Sequence, residues 1–241
     1  MFSFGFGKDR TINYLGGFNP LNIDGLQLYL DHSKGVTSNI TGANVSSWVD
    51  QSVNAFVFSN GIVTAQPLKG VSTVNSDGIN DFLLYSGVNP LNDNSGILFF
   101  KVYFDGINQA YIMGSGDQAG TNGVSFRILN TGKINFLTIG GTTTNLSSSQ
   151  TATVGFNYGY VLVDGTDTYF SLNGGTKVIT PTAGDIGQFY GDIPGRDNLT
   201  IGALIRSTSA YIPSSLSGLI YTNIIPSDDE IDKINNFMST L

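Results

Sequence analysis

Nine short runs of aromatic and β-branched residues, punctuated by Gly, Asn and Asp, divide most of this 241-residue chain. They are LQLYLD at 26–31, ILFFKVYFD at 97–105, YIMG at 111–114, VSFRIL at 124–129, INFLTI at 134–139, YGYVLVDG at 158–165, TYFSLNGG at 168–175, LTIGALI at 199–205 and LSGLIYTNII at 216–225. Runs of this length between turn-formers read as strands, and a succession of them reads as a sandwich or barrel. In the first run Leu26, Leu28 and Leu30 fall on one face, with Gln27, Tyr29 and Asp31 on the other, the period of an extended chain. DGTD at 164–167 and NGG at 173–175 are hairpin signals, because Gly and Asn accept positive φ. The Thr-rich stretch at 142–153 reads as a solvent-facing strand and turn rather than a linker, since Thr favours strands.

The lone tryptophan, Trp48, sits among polar turn-formers and is followed by Asp50, Ser52 and Asn54. A large aromatic in that setting reads as a strand end entering the core, with Asx side chains capping the loop beyond. The other reading of Trp48 is a platform for stacking a sugar. Tyr111, Tyr158, Tyr190 and Tyr211 are expected to be exposed, and are equally good candidates for glycan contact. One helix is well signalled. Ser227 and Glu230 make a capping box behind Pro226. Ile231, Ile234, Phe237, Met238 and Leu241 then recur at helical spacing.

Residues 1–22 read as an extended N-terminal arm and residues 23–241 as one domain, with Gly16-Gly17 and Pro20 at the boundary. Phe2, Phe4 and Phe6 alternate with small residues, so their rings share one face of an extended ribbon. Such a ribbon cannot hold itself in water. The expectation is that these three rings anchor the chain to a neighbouring subunit.

Composition narrows the function. Gly, Ser, Thr and Asn supply 100 of the 241 residues, and only 12% are charged. A net charge of −7 with 11 scattered basic residues disfavours nucleic acid, whose phosphates require clustered cations. No apolar stretch is long enough to insert in a membrane. MFSFGFGKDR is not a secretory signal, and the absence of Cys rules out disulfides and thiolate metal sites. Synthesis in a cytoplasm fits these features.

In order along residues 26–241, LQLYLD, GANVSSWVDQSVN, Gln66-Pro67, SDGINDFL, LNGG, LTIGA and SGLIYTNIIPSDDEIDKINNFM resemble the laminin-G-like, concanavalin A-like jelly-roll modules of lectins, adhesins and tailed-phage virion proteins. The chain departs from a common form of that family at Ser52-Val53-Asn54, where the middle residue is often Gly. The resemblance implies an all-β jelly-roll β-sandwich with a short C-terminal α-helix. It also implies a structural virion protein (a decoration, fibre or tail-associated adhesin) that contacts other virion proteins, forms a homo-oligomer and binds host-surface glycans. The alternative is a lectin-like carbohydrate-binding module at a bacterial cell surface.

Catalysis is not expected. Some relatives with this fold cleave glycans with paired carboxylates, but Glu230 is the only glutamate and the helix cap accounts for it. Asp31-His32-Ser33 holds the one histidine, and as sequence neighbours their side chains are expected to point apart rather than form a relay. No catalytic, cofactor or metal residue is therefore assigned. Asp77, Asn80 and Asp81, with Asp117 or Asp192, leave open a calcium loop or a plain network of Asx turns. GSGDQAG at 114–120 lacks the Lys-Ser/Thr of a phosphate loop and reads as a hairpin or a loop.

Overall fold

The computed structural model describes residues 18–38, 40–88, 91–140, 143–179 and 187–241. The chain begins with β1 (Leu26–Asp31) and five short strands: β2 (Ser47–Val49), β3 (Val57–Ser59), β4 (Leu68–Lys69), β5 (Val74–Ser76) and β6 (Leu83–Ser86). Longer strands follow as β7 (Gly96–Phe104), β8 (Ala110–Gly116), β9 (Gly123–Ile128), β10 (Lys133–Ile139), β11 (Thr144–Thr151), β12 (Gly155–Val163) and β13 (Thr168–Leu172). The last elements are β14 (Val178–Ile179), β15 (Asn198–Ile201), β16 (Ala203–Leu204), β17 (Ala210–Tyr211), β18 (Ser214–Thr222) and helix α1 (Asp228–Thr240).

Two eight-stranded antiparallel sheets face each other. Sheet A runs β14-β13-β12-β7-β18-β5-β4, with β1 also on β18, and sheet B runs β11-β10-β9-β8-β15-β6-β3-β2. Their inner faces enclose one core that includes Trp48, Phe58, Phe100, Phe126, Phe136, Phe170 and Phe189. Phe126 and Phe136 stack at 4.7 Å across β9 and β10. This is the jelly-roll sandwich expected from the strand pattern.

The centre of sheet A is buried on both sides. Leu98, Phe100 and Val102 of β7 face the core, whereas Ile97 and Phe99 face outward beneath α1. An antiparallel strand with one wet face would alternate apolar and polar residues, so the unbroken ILFF run reflects this double burial. From above, Ile231, Ile234 and Met238 press on Tyr29, Ile97, Phe99, Tyr160, Leu162 and Ile220. The capping box forms, with the Ser227 amide and hydroxyl both donating to Glu230. Lys101 closes the far end of the helix by donating to the Ser239 carbonyl at 2.8 Å. Phe18 packs on Phe237 at 5.4 Å. Among the described residues no helix is long and apolar enough to cross a membrane.

Three expectations need correction. A register shift between Leu26 and Leu28 moves Leu26 off the face of Leu28 and Leu30 and onto the helix side. LTIGALI is not one strand: Gly202, at φ +83, breaks it into β15 and β16. Asp31 and Ser33 do not point apart, because a tight turn brings the Ser33 amide and hydroxyl onto Asp31 at 2.9 and 2.7 Å. His32 is not interposed; its Nδ1 lies 3.2 Å from the Ser217 carbonyl oxygen.

Asp31 is 2% exposed. Burial would raise its pKa, but the Ser33 bonds, Lys34 and the Tyr29 hydroxyl outweigh this and hold it below its ordinary value. A depressed folded pKa contributes stability that is complete above the unfolded value of about 4 and is lost as pH falls through the folded one. Urea unfolding from neutral pH downward should therefore show the wild type losing stability on acidification below about pH 4. Asp31→Asn should be weaker at neutral pH and should lose less over the same range. Parallel curves for the two proteins would contradict this.

Candidate functional site

Helix α1 covers sheet A; on the outer face of sheet B the kink at Gly202 folds a ribbon over the strands and sets two arginines beside it. After Ile201 the chain leaves the sheet and doubles back as the β16–β17 ribbon, pairing Ala203 with Tyr211 and Leu204 with Ala210. A side chain at Gly202 would strike Ser76 and the Asp81 carbonyl, so only glycine allows this exit.

Beneath the ribbon, the β8–β9 ladder pairs Gly116 with Gly123, Gly114 with Ser125, and Tyr111 with Arg127. Ser125 and Arg127 alternate with the core residues Val124, Phe126 and Ile128 and so face outward. Arg206, in the ribbon's loop, lays its stem across Gly116 and Gly123. The Tyr111 hydroxyl rests over Gly114, where any β-carbon would collide with it.

Arg127 is held in place. Its Nε donates to Asn135 Oδ1 at 3.0 Å. The Asn135 amide nitrogen in turn donates to Asn145 Oδ1 (2.7 Å), the Leu146 carbonyl (2.8 Å) and Ser147 Oγ (3.2 Å). This ladder, buried at Asn135, holds the guanidinium through Nε, and its two terminal nitrogens are not engaged by the bonds found among the described residues. Arg206 Nη1 donates to the Thr121 carbonyl at 2.7 Å, while its buried Nε meets no acceptor. Neither arginine takes part in the ion pairs found among the described residues, which join Asp31 to Lys34 and Lys177 to Asp228.

Two hydroxyls between these cations also lack partners, Tyr111 Oη and Ser125 Oγ. Thr200 stands beside Tyr111 but gives its own proton to the Ala203 carbonyl. Burial pushes the Tyr111 phenol well above its ordinary pKa, with Thr200, Arg127 and Arg206 pulling partly the other way. The phenol stays protonated and is a donor. Burial also lowers Arg127, which the Tyr111 hydroxyl offsets in part. Tyr211, 36% exposed, forms an aromatic rim with Phe82 at 5.9 Å. In a chain of net charge −7, this face gathers two guanidiniums outside any ion pair and an exposed ring, with the Tyr111 and Ser125 hydroxyls buried beneath them.

The residues singled out in the sequence fare unevenly. Phe2, Phe4 and Phe6 lie outside the described residues. Trp48 is fully buried and donates its indole N–H to the Asp31 carbonyl at 3.1 Å, so it is core and not a sugar platform. Tyr111 and Tyr190 are buried rather than exposed, the first under the ribbon and the second against Arg196 at 5.0 Å. Tyr158 is half-buried, and Tyr211 stands at the site's rim.

In the candidate calcium loop one carboxylate oxygen each of Asp77 and Asp81 caps the backbone. Asp77 Oδ1 accepts from the amides of Ile79, Asn80 and Asp81, and Asp81 Oδ2 from the Asp77 amide. Asp117 is engaged by Ala119 and Gly120, and Asp192 by Phe189.

No protein-family model matches the chain, and no curated protein matches it in sequence. Solved structures do match in fold. Trypanosoma rangeli sialidase superposes with a TM-score of 0.58 and 12% identity, over 91% of this chain and 33% of that one. NanB sialidase from Streptococcus pneumoniae gives 0.51 and 21%, over 59% of this chain and 24% of that one. The CBM40 of the Ruminococcus gnavus IT-sialidase gives 0.48 and 17%, over 60% and 83%. The chain thus spans a third or less of the two sialidase chains, and what it shares with them is the β-sandwich.

Proposed function

We propose that this chain is a non-catalytic saccharide-binding module that takes an acidic sugar on the outer face of sheet B. The observation that carries the reading is Arg127, a guanidinium oriented by Asn135 and left without a counter-charge. A carboxylate matches the paired terminal nitrogens of such a group. Arg206 and the exposed Tyr211 ring would complete recognition of the polyol around it. The lectin-like role is preferred to the virion role because the site lies on the described sandwich. Attachment to a particle rests instead on Phe2, Phe4 and Phe6. Binding of surface glycans is common to both settings.

Calorimetry with 3′-sialyllactose against lactose, and trigalacturonate against its methyl ester, tests the proposal. At least one acidic probe should bind ten-fold or more above its neutral partner. Arg127→Ala should cost about 10- to 100-fold in affinity, the range for a hydrogen bond to a charged group. Arg127→Lys keeps the charge and loses the fork, and should recover only part of it. Acidic and neutral probes binding alike, or full affinity in Arg127→Ala, would overturn the reading.

A further inference from the structure

A cleft of about 560 Å³ lies on the opposite side of the molecule from the arginine face. Its floor is Tyr160 and Ser171 on the outer face of sheet A. One wall is the β13–β14 hairpin from Gly174 to Lys177, and the other is α1 through Asp228, Asp232 and Asn235. The volume is in the range of small-molecule sites.

The lining is rich in acceptors. Asn235 is only 7% exposed, and its Oδ1 accepts no hydrogen bond from the protein. Positions 228, 232 and 235 fall on one helical face, so two carboxylates lie along the same wall as this amide. Burial raises the Tyr160 phenol; Ser171 opposes this, and Asp232 and then Asp228 add smaller upward effects. Ser171 spends its proton on the Gly175 carbonyl at 2.6 Å. The protein itself shows what this chemistry attracts: Lys177 sets its ammonium 3.5 Å from Asp228 at the rim. No group of three His, Cys, Asp or Glu among the described residues is arranged to hold a metal ion.

We propose that this cleft binds a small amino sugar, with its ammonium held by Asp232 and Asp228 and its hydroxyls by the Asn235 amide. An ammonium meets the carboxylates, and a neighbouring hydroxyl donates to the buried Asn235 oxygen while accepting from its nitrogen. A simple aliphatic amine would leave that amide unanswered, and a neutral sugar would leave the carboxylates so.

Titrating the isotope-labelled protein with glucosamine, glucose and N-acetylglucosamine at about pH 6, where the amine is protonated, tests the proposal. Glucosamine should shift the amides of residues 171–177 and 228–236, and bind at least ten-fold more tightly than the two neutral sugars. Asp232→Asn, at an exposed position, should weaken glucosamine five-fold or more without altering the fold. Asn235→Leu should do the same, and Lys177→Ala should strengthen binding about two-fold by removing the competing ammonium. If Asn235→Leu unfolds, Asp232→Asn still decides. Equal shifts with all three sugars, unchanged affinity in Asp232→Asn, or no shift at these positions up to about 50 mM would overturn the proposal.

Discussion

Trp48→Ala is expected to lower the unfolding free energy by about 3–5 kcal/mol. The side chain is fully buried, opposite Phe58 in the β2–β3 pair and within the main core. Its removal withdraws roughly 150–250 Å² of aromatic surface. β2 is a three-residue edge strand and can settle inward only a little before it loses its register with β3. The Asp31 carbonyl also loses the indole donor. Trp48→Phe keeps most of the apolar contact and should lose about 1–2 kcal/mol, from the lost indole hydrogen bond and the smaller ring, while the Asp31 carbonyl keeps the Lys34 amide. Urea unfolding of the three proteins checks the order. A loss below about 1 kcal/mol for the alanine variant would mean that the indole is not holding β2 to the core.

Arg196→Met should be comparably damaging, at about 3–5 kcal/mol. Arg196 is fully buried, with Nε on the Ile193 carbonyl and Nη1 on Ser115 Oγ, both at 2.9 Å, and Nη2 shared by the Leu91 and Tyr190 carbonyls. Burial works against its charge, and Tyr190, Tyr221 and Asp93 support it. Methionine fills the stem's volume but leaves the Ile193 and Leu91 carbonyls without donors in the interior, the Tyr190 carbonyl keeping the Ile193 amide. Arg196→Lys retains the charge yet has one nitrogen for four acceptors, so it should lie between wild type and Arg196→Met. Thermal unfolding would check the series, and a methionine variant as stable as wild type would show that these carbonyls find other donors.

Much of the fold was legible because it depends on local pattern. Alternation in LQLYLD, the hairpin at DGTD and the capping box at Ser227 each specify their element within a few residues, and each forms. Asp164 Oδ1, for instance, accepts from the amides of Thr166 and Asp167 in the turn. Leu26 was misplaced because a bulge reverses facing without any residue to announce it. The site was harder to read. Ser125 and Arg127 alternate with core residues just as any solvated strand face does. That Arg127 is oriented rather than merely hydrated depends on Asn135 and Asn145, one and two strands away.

Arg206 joins that face only because Gly202 turns the chain out of its sheet. The glycine in LTIGALI was the available signal, and it looked like an ordinary gap in a strand. Tyr111 and Tyr190 were judged exposed because a tyrosine's hydroxyl suits water as well as a polar interior.

The order of strands in sheet A has a consequence for how the protein is made. β18 is bonded to β7 along one edge and shares its other edge between β1 and β5. Tyr29 must therefore wait for Ile220. On a ribosome the first strand emerges long before its partner, and sheet A cannot close until translation has passed residue 222. Non-local pairing of this kind is slow, and over that interval β1 and β7 carry unpaired, apolar edges. Sheet B reaches further along before this point, since β8 through β11 are paired in hairpin order. Assembly should thus begin on the side that carries the arginine face, with the helix-covered side completed last.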